Sequence, residues 1–240
     1  MEHNSNNLKI KELKDKANST EFSISCALMS HHQARAGYLT NHLCSLFETS
    51  QELEARIKKE TNNLVELQSK LTNFLLAELD VIISNLHQQE SIVSTLLLVP
   101  DEDRGIKQAP PIMDRLKKQE GESVLAFICR ERSYLEDFKS KYCRPASKEM
   151  DKIELELIKR EIDALGRAKR ELERQPELEL KEAKNELKKY ENWLDHIKGI
   201  RRCEPDFETI ALYEGRIIYW TQKVSSWQII FGGKLNQKRG

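Results

Sequence analysis

A single apolar strip dominates the first hundred residues. Leu39, Leu43, Leu46, Leu53, Ile57, Leu64, Leu67 and Leu71 follow one another at three- and four-residue steps, interrupted only at Ser50 and Glu60. The strip slips by one residue at Phe74 and Leu75, then continues through Leu79, Ile82, Leu86, Val93 and Leu96. No proline falls within it, and Gly37 is its only glycine. A seven-residue apolar repeat held this long excludes a compact globular helix, because its seam must be covered by other helices along its whole length. The slip is an inserted step of the kind that changes supercoiling locally without ending a helix. The pattern predicts one helix near residues 22–98, roughly 115 Å long at 1.5 Å per residue. The rest of the chain reads as what covers that rod.

The composition agrees. Glycine and proline are sparse, and 32% of the residues are charged, a balance that points to long helices in one elongated all-α domain. Acids and bases cancel, so no overall field draws the chain to nucleic acid or anionic membrane, and any such contact needs a local patch. Cys26, Cys44, Cys129, Cys143 and Cys203 are scattered and form no CxxC pair. They read as buried thiols of a reducing cytosol. The opening MEHNSNNLKIKELKDK lacks a signal-peptide apolar run, and no segment approaches the ~18 apolar residues of a membrane span. The expectation is a soluble, cytoplasmic protein whose contact with membrane is peripheral.

Residues 1–21 read as a polar, lysine-rich segment, with Asn18-Ser19-Thr20 placed to cap the long helix. That helix is expected to stop near Leu98, since Pro100, Asp101-Glu102-Asp103 and Gly105 do not continue it. Pro110-Pro111 then opens a second apolar series: Ile112, Leu116, Leu125, Ile128, Leu135 and Phe138, and beyond Pro145 Ile153, Leu157, Ile158, Leu165 and Leu172. A third series, Leu180, Ala183, Leu187, Tyr190, Leu194 and Ile197, meets Pro205 and resumes at Ile210, Tyr213, Ile217, Trp220, Val224, Trp227 and Phe231. Two topologies fit: about five unequal helices broken at every proline, or three long helices near 22–98, 112–174 and 176–231 followed by a tail at 232–240. The three-helix plan is the expectation, with Pro145 and Pro205 as kinks. Pro176, whose turn has no glycine, is equally readable as a kink. Such a sheaf leaves an apolar stripe, which dimerisation buries.

Three long kinked helices with one long loop and one tight tip resemble a BAR domain. The segment Ala183 to Val224 is similar to the third BAR helix, with Pro205, Phe207, Arg216 and Tyr219 or Trp220 in the places of its kink, aromatic, arginine and core aromatic. The segment RSYLEDFKSKYCRPASKEMDKIELELIKREIDALGRAKRELE resembles the second helix through Tyr134, Phe138 and Pro145. The sequence departs from the family in lacking a basic excess and an aromatic-rich amphipathic N-terminal helix. The resemblance implies an antiparallel homodimer with a six-helix core, crescent-shaped, binding anionic lipid and sensing or shaping curved membrane in endocytosis or trafficking. Protein partners would join through a flanking domain.

On that reading the lipid-binding residues lie at the Pro176 tip: Arg167, Lys169, Arg170, Arg174, Lys181, Lys184, Lys188 and Lys189. The competing view is a solvated face neutralised by the interleaved Glu171, Glu173, Glu177, Glu179, Glu182 and Glu186. Lys198, Arg201 and Arg202 form a second basic cluster. The expected dimer interface comprises Leu64, Leu67, Leu71, Phe74, Leu75, Leu79, Tyr213, Ile217, Trp220, Val224 and Trp227. Traced backward, the strip passes Ala36, His32 and Met29, with His31 beside it. His42 stands ten residues from His32, a spacing that makes no metal site. There is no glycine-rich phosphate loop, GxSxG or HExxH, and the basic residues show no aromatic interleaving. The sequence therefore predicts no enzyme, no cofactor or metal, and no nucleic-acid partner. The alternative to the membrane reading is a coiled-coil scaffold or adaptor subunit without lipid activity.

Overall fold

The computed structural model describes residues 2–97, 130, 133, 148–199 and 206–237. Its described elements are all α-helices: α1 (Glu2–Asn41), α2 (Cys44–Leu97), α3 (Lys148–Gly199) and α4 (Phe207–Gln237). The chain divides into two compact units, Met1–Phe74 with Arg174–Gly240, and Leu75–Glu173. The all-α expectation holds, but the three-helix plan does not describe these elements.

The helix expected over 22–98 is two helices. His42 takes a left-handed backbone conformation with φ 53°, and its N–H donates to the Tyr38 carbonyl at 2.7 Å. This is the single-bond cap that ends many helices, normally on glycine. The Leu43 carbonyl then accepts from the N–H groups of Leu46 and Phe47, starting α2. The Tyr38 and Phe47 rings meet at 4.8 Å, and the Arg35 guanidinium lies over both. Further along, Arg56 of α2 donates to Ser23 of α1 at 3.1 Å, so α1 and α2 form an antiparallel hairpin. Nor do residues 1–21 form a separate segment, since α1 begins at Glu2. The Thr20 hydroxyl, expected near a cap, donates back to the Lys16 carbonyl at 2.8 Å. Half-buried Ile10, Leu13 and Ala17 lead into buried Ile24.

The expected turn at Pro176 is also absent, because α3 runs through it. Proline inside a helix deletes one hydrogen bond and costs about 3 kcal/mol. The flanking Glu171–Arg174 and Glu177–Lys181 are strong helix formers, and Pro176 itself is buried, so propensity and packing carry the helix across. Residues 176–231 are not one kinked helix either. Glu179 of α3 pairs with Lys223 of α4 at 2.8 Å. The Tyr190 and Trp193 rings meet Tyr213, and Lys198 reaches Glu214 at 3.3 Å. As numbers rise on α3 they fall on α4, so the two helices are antiparallel. Asp206 caps α4, its carboxylate accepting the hydroxyl and the N–H of Thr209, bonds that hold its carboxyl below the usual range. Pro145 and Pro205, with the start of the second expected helix, lie outside the described residues.

In the first unit α1 packs on α4. The buried row of α1 is Ile24, Ala27, His31 and Ala34, at steps of three and four, and its His31 faces Gly215 of α4. A Cβ at Gly215 would stand 3.0 Å from His31 Nδ1, so glycine permits the close approach there. The expected strip through His32 and Met29 is thus displaced: Met29 is 66% exposed and His31 is buried. On α2 the buried positions are Ser50, Ile57, Thr61, Leu64, Val65, Ser69 and Thr72. Ser50, Thr61 and Thr72 are tolerated inside because each hydroxyl donates to its own helix, to the carbonyls of Phe47, Ile57 and Gln68. Trp227 of α4 is 2% exposed. Asn62 of α2 bonds Gln222 and Ser226 of α4.

In the second unit the sequence seam stands as read. Leu79, Leu86 and Val93 of α2, seven apart, pack with Ile158, Leu165 and Ala168 of α3, and Ile82, Ile83, Leu155, Ile162 and Leu172 border them. Lys169 donates to Asp80 at 2.6 Å beside this seam.

Candidate functional site

The eight basic residues expected at a helical tip lie instead along one continuous helix. In the second unit, Lys169 is held by Asp80 and Glu173, and Arg167 and Arg170 share its stretch of α3. In the first unit, Lys189 pairs with Glu186 at 3.1 Å and sits over the Tyr190 and Trp193 rings. Arg174, Lys181, Lys184 and Lys188 are exposed. Despite the interleaved glutamates, none of these four makes an ion pair among the described residues. Their spacing puts them on one face of α3, flanking the row of Pro176, Ala183, Leu187, Tyr190 and Leu194 that turns inward. Glu177 stands within that face, and Leu178 beside it is 62% exposed.

The expected dimer residues are divided between interior and border. Leu64, Leu79 and Trp227 are buried within the single chain, so these three side chains are not exposed to a second copy. Leu67, Leu71, Phe74, Leu75, Tyr213, Ile217, Trp220 and Val224 are half-buried.

Two of the four free cations border a groove that the sequence did not disclose. It has a volume of about 580 Å³ and lies against α3 and α4. Leu187 and Leu194, seven residues apart on α3, form its apolar lining with Ile217 of α4. Lys184, Lys188, Glu191, Asn192 and Asp195 make its exposed rim. The charges are segregated: two lysines four residues apart, then two acids four residues apart. Like charges at that separation repel and cost a helix a few tenths of a kcal/mol. Among the described residues, no ion pair reaches Lys184, Lys188, Glu191 or Asp195. The signal available in the sequence was this Lys-Lys-Glu-Asp grouping. The groove itself needed Ile217, which only the hairpin brings to α3.

A smaller groove of about 330 Å³ shares Leu194 and Ile217 and is walled by α1 and α2. Its lining includes His31, Arg35, Phe47, Glu54 and Glu214. Its charges are internally matched: Arg35 donates to Glu214 at 2.9 Å, and Lys58 reaches Glu54 at 2.5 Å. His31 is 3% exposed, and its Nδ1 has no hydrogen-bond partner among the described residues. Burial pushes its pKa down against the pull of Glu54 and Glu214, with Arg35 and His32 acting in the same direction as burial. At the far end of the α3–α4 hairpin, Lys223 is buried over the Trp220 ring. Burial lowers its pKa, but Tyr219, Glu179 and Glu182 outweigh that and raise it overall. This ties α3 to α4 by a charge pair whose lysine is buried and whose glutamate is half-buried.

No group of three or more metal-capable side chains comes together among the described residues, and none of the described helices is long and apolar enough to cross a membrane. No family model, curated protein or solved structure matches the chain.

Proposed function

We propose that the chain is a non-catalytic helical docking module, a scaffold or adaptor that binds a protein partner through the α3–α4 groove. The observation that carries this reading is the groove itself. Its apolar lining repeats at seven residues and is flanked by charged positions without ion-pair partners among the described residues, the arrangement by which one helix receives another. A solvated face needs no apolar lining, and it gains from neutralising its charges internally.

The test places a photo-activated cross-linker at Asn192 in cells and compares the chain with its Leu194→Glu variant, both shown to be folded by circular dichroism. The expected result is a discrete cross-linked partner lost in the variant. The same products from both proteins would overturn the reading.

A second reading rests on the α3 face of Arg174, Lys181, Lys184 and Lys188, which can lie on an anionic bilayer. Each cation near such a surface gains about 1 kcal/mol, so four support weak, salt-sensitive binding from which Glu177 subtracts. In this reading the cations lie along one helix and not at a tip, since α3 runs through Pro176. Co-sedimentation with phosphatidylserine vesicles at low and high salt tests it. No pelleting at low salt by the folded chain would remove it.

A further inference from the structure

We infer that the groove takes a short amphipathic helix whose flanking charges are themselves segregated, acidic residues at one end and basic at the other. This rests on the docking reading and adds the chemistry of the occupant. Rim residues 184–195 span about three helical turns, roughly 16 Å, so the recognised segment is about a dozen residues long. Its apolar positions repeat at three and four to meet Leu187, Leu194 and Ile217. One end meets Lys184 and Lys188, and the other meets Glu191 and Asp195. A bilayer selects for positive charge alone and is repelled by Glu191 and Asp195. A uniformly acidic helix satisfies the lysines and opposes the acids. A helix of divided charge complements all four, and it also relieves the two like-charge pairs that α3 carries unmatched.

Three hydrocarbon-stapled fourteen-residue helices with the same leucine seam test this, with segregated, all-glutamate or all-lysine flanks. Binding is measured by fluorescence anisotropy at low salt. The segregated peptide is expected to bind the wild-type chain about tenfold more tightly than either uniform peptide, four rim pairs each adding the modest amount of an exposed ion pair. The double variant Lys184→Glu/Lys188→Glu, whose rim is wholly acidic, is expected to prefer the all-lysine peptide. Leu194→Glu is expected to weaken all three. If all bind wild type equally, the charge inference fails while the docking reading stands. If the all-glutamate peptide binds best, the basic half alone is read and the inference also fails. If none binds, the groove is not a helix site and both fail.

Discussion

His31 shows how much one side chain can hold in tension. It occupies a core position of α1, against Gly215 of α4, without a partner for Nδ1 among the described residues. Its protonated form is disfavoured by burial and by Arg35 and His32, although Glu54 and Glu214 attract the proton. The folded pKa therefore lies below the 6.5 of an unperturbed histidine. Between those two values the unfolded chain binds more protons than the folded one, so stability rises with pH across that window. The contribution of His31 is complete above about pH 7 and is lost as pH falls through 6.5 toward the folded pKa. Thermal melts at pH 7.5 and 5.0 should show a larger drop for wild type than for His31→Leu. Equal drops would mean that other groups carry the acid sensitivity. The sequence placed His31 beside the seam rather than in it, because alanines at positions 27 and 34 gave no large apolar signal. Small residues mark this helix contact, and a pattern built on leucine passes over them.

At the scale of elements, what was legible depended on whether the local chain declared its own boundaries. The seam of Leu79, Leu86 and Val93 could be read because large apolar residues recur at seven on α2 and again on α3. The α1–α2 reversal could not. It has no proline and no glycine in the turn itself, its one glycine being Gly37 within α1, where a Cβ would stand 2.9 Å from Leu46, and the leucine spacing stays in phase through Leu39, Leu43 and Leu46. The reversal is set by a left-handed histidine, by the Tyr38–Phe47 contact and by Arg35 stacked over both rings, and all but the histidine depend on tertiary packing. Pro176 misled in the opposite direction, since a proline surrounded by strong helix formers sits inside a helix. The cap at His42 makes its own prediction. A non-glycine residue at this φ costs about 1–2 kcal/mol, and part of that is recovered by glycine after its greater unfolded-state freedom is subtracted. His42→Gly should therefore add up to about 1 kcal/mol of stability, read as a higher urea midpoint at an unchanged denaturant slope. A loss would show that the imidazole contact with Tyr38, 6.4 Å between rings, outweighs the backbone strain.

For the whole molecule, the side chains expected to join two copies are divided differently. Leu64, Leu79 and Trp227 are interior to one chain. Trp227→Ala should cost about 3–5 kcal/mol, the range for emptying a large aromatic site, and the midpoints of both proteins should be independent of protein concentration. A wild-type midpoint that climbs with concentration would show that folding is linked to self-association. The candidate groove was half legible at this scale. Lys184 and Lys188 stood out as charges, but Ile217 meets α3 only once the α3–α4 hairpin has formed.

The two-residue connection at His42–Leu43 also bears on how quickly the molecule can assemble. Across it, Tyr38 and Phe47 are near neighbours along the chain, so that pairing can close in about 10–100 ns, the time of a ten-residue loop. The Arg35–Glu214 bond instead joins groups 179 residues apart, and the entropy of closing a loop grows with its length. Each antiparallel pair can therefore form early and by itself. The mating of one pair with the other is left as the slow step, and the transition state should be most sensitive to substitutions where α1 meets α4.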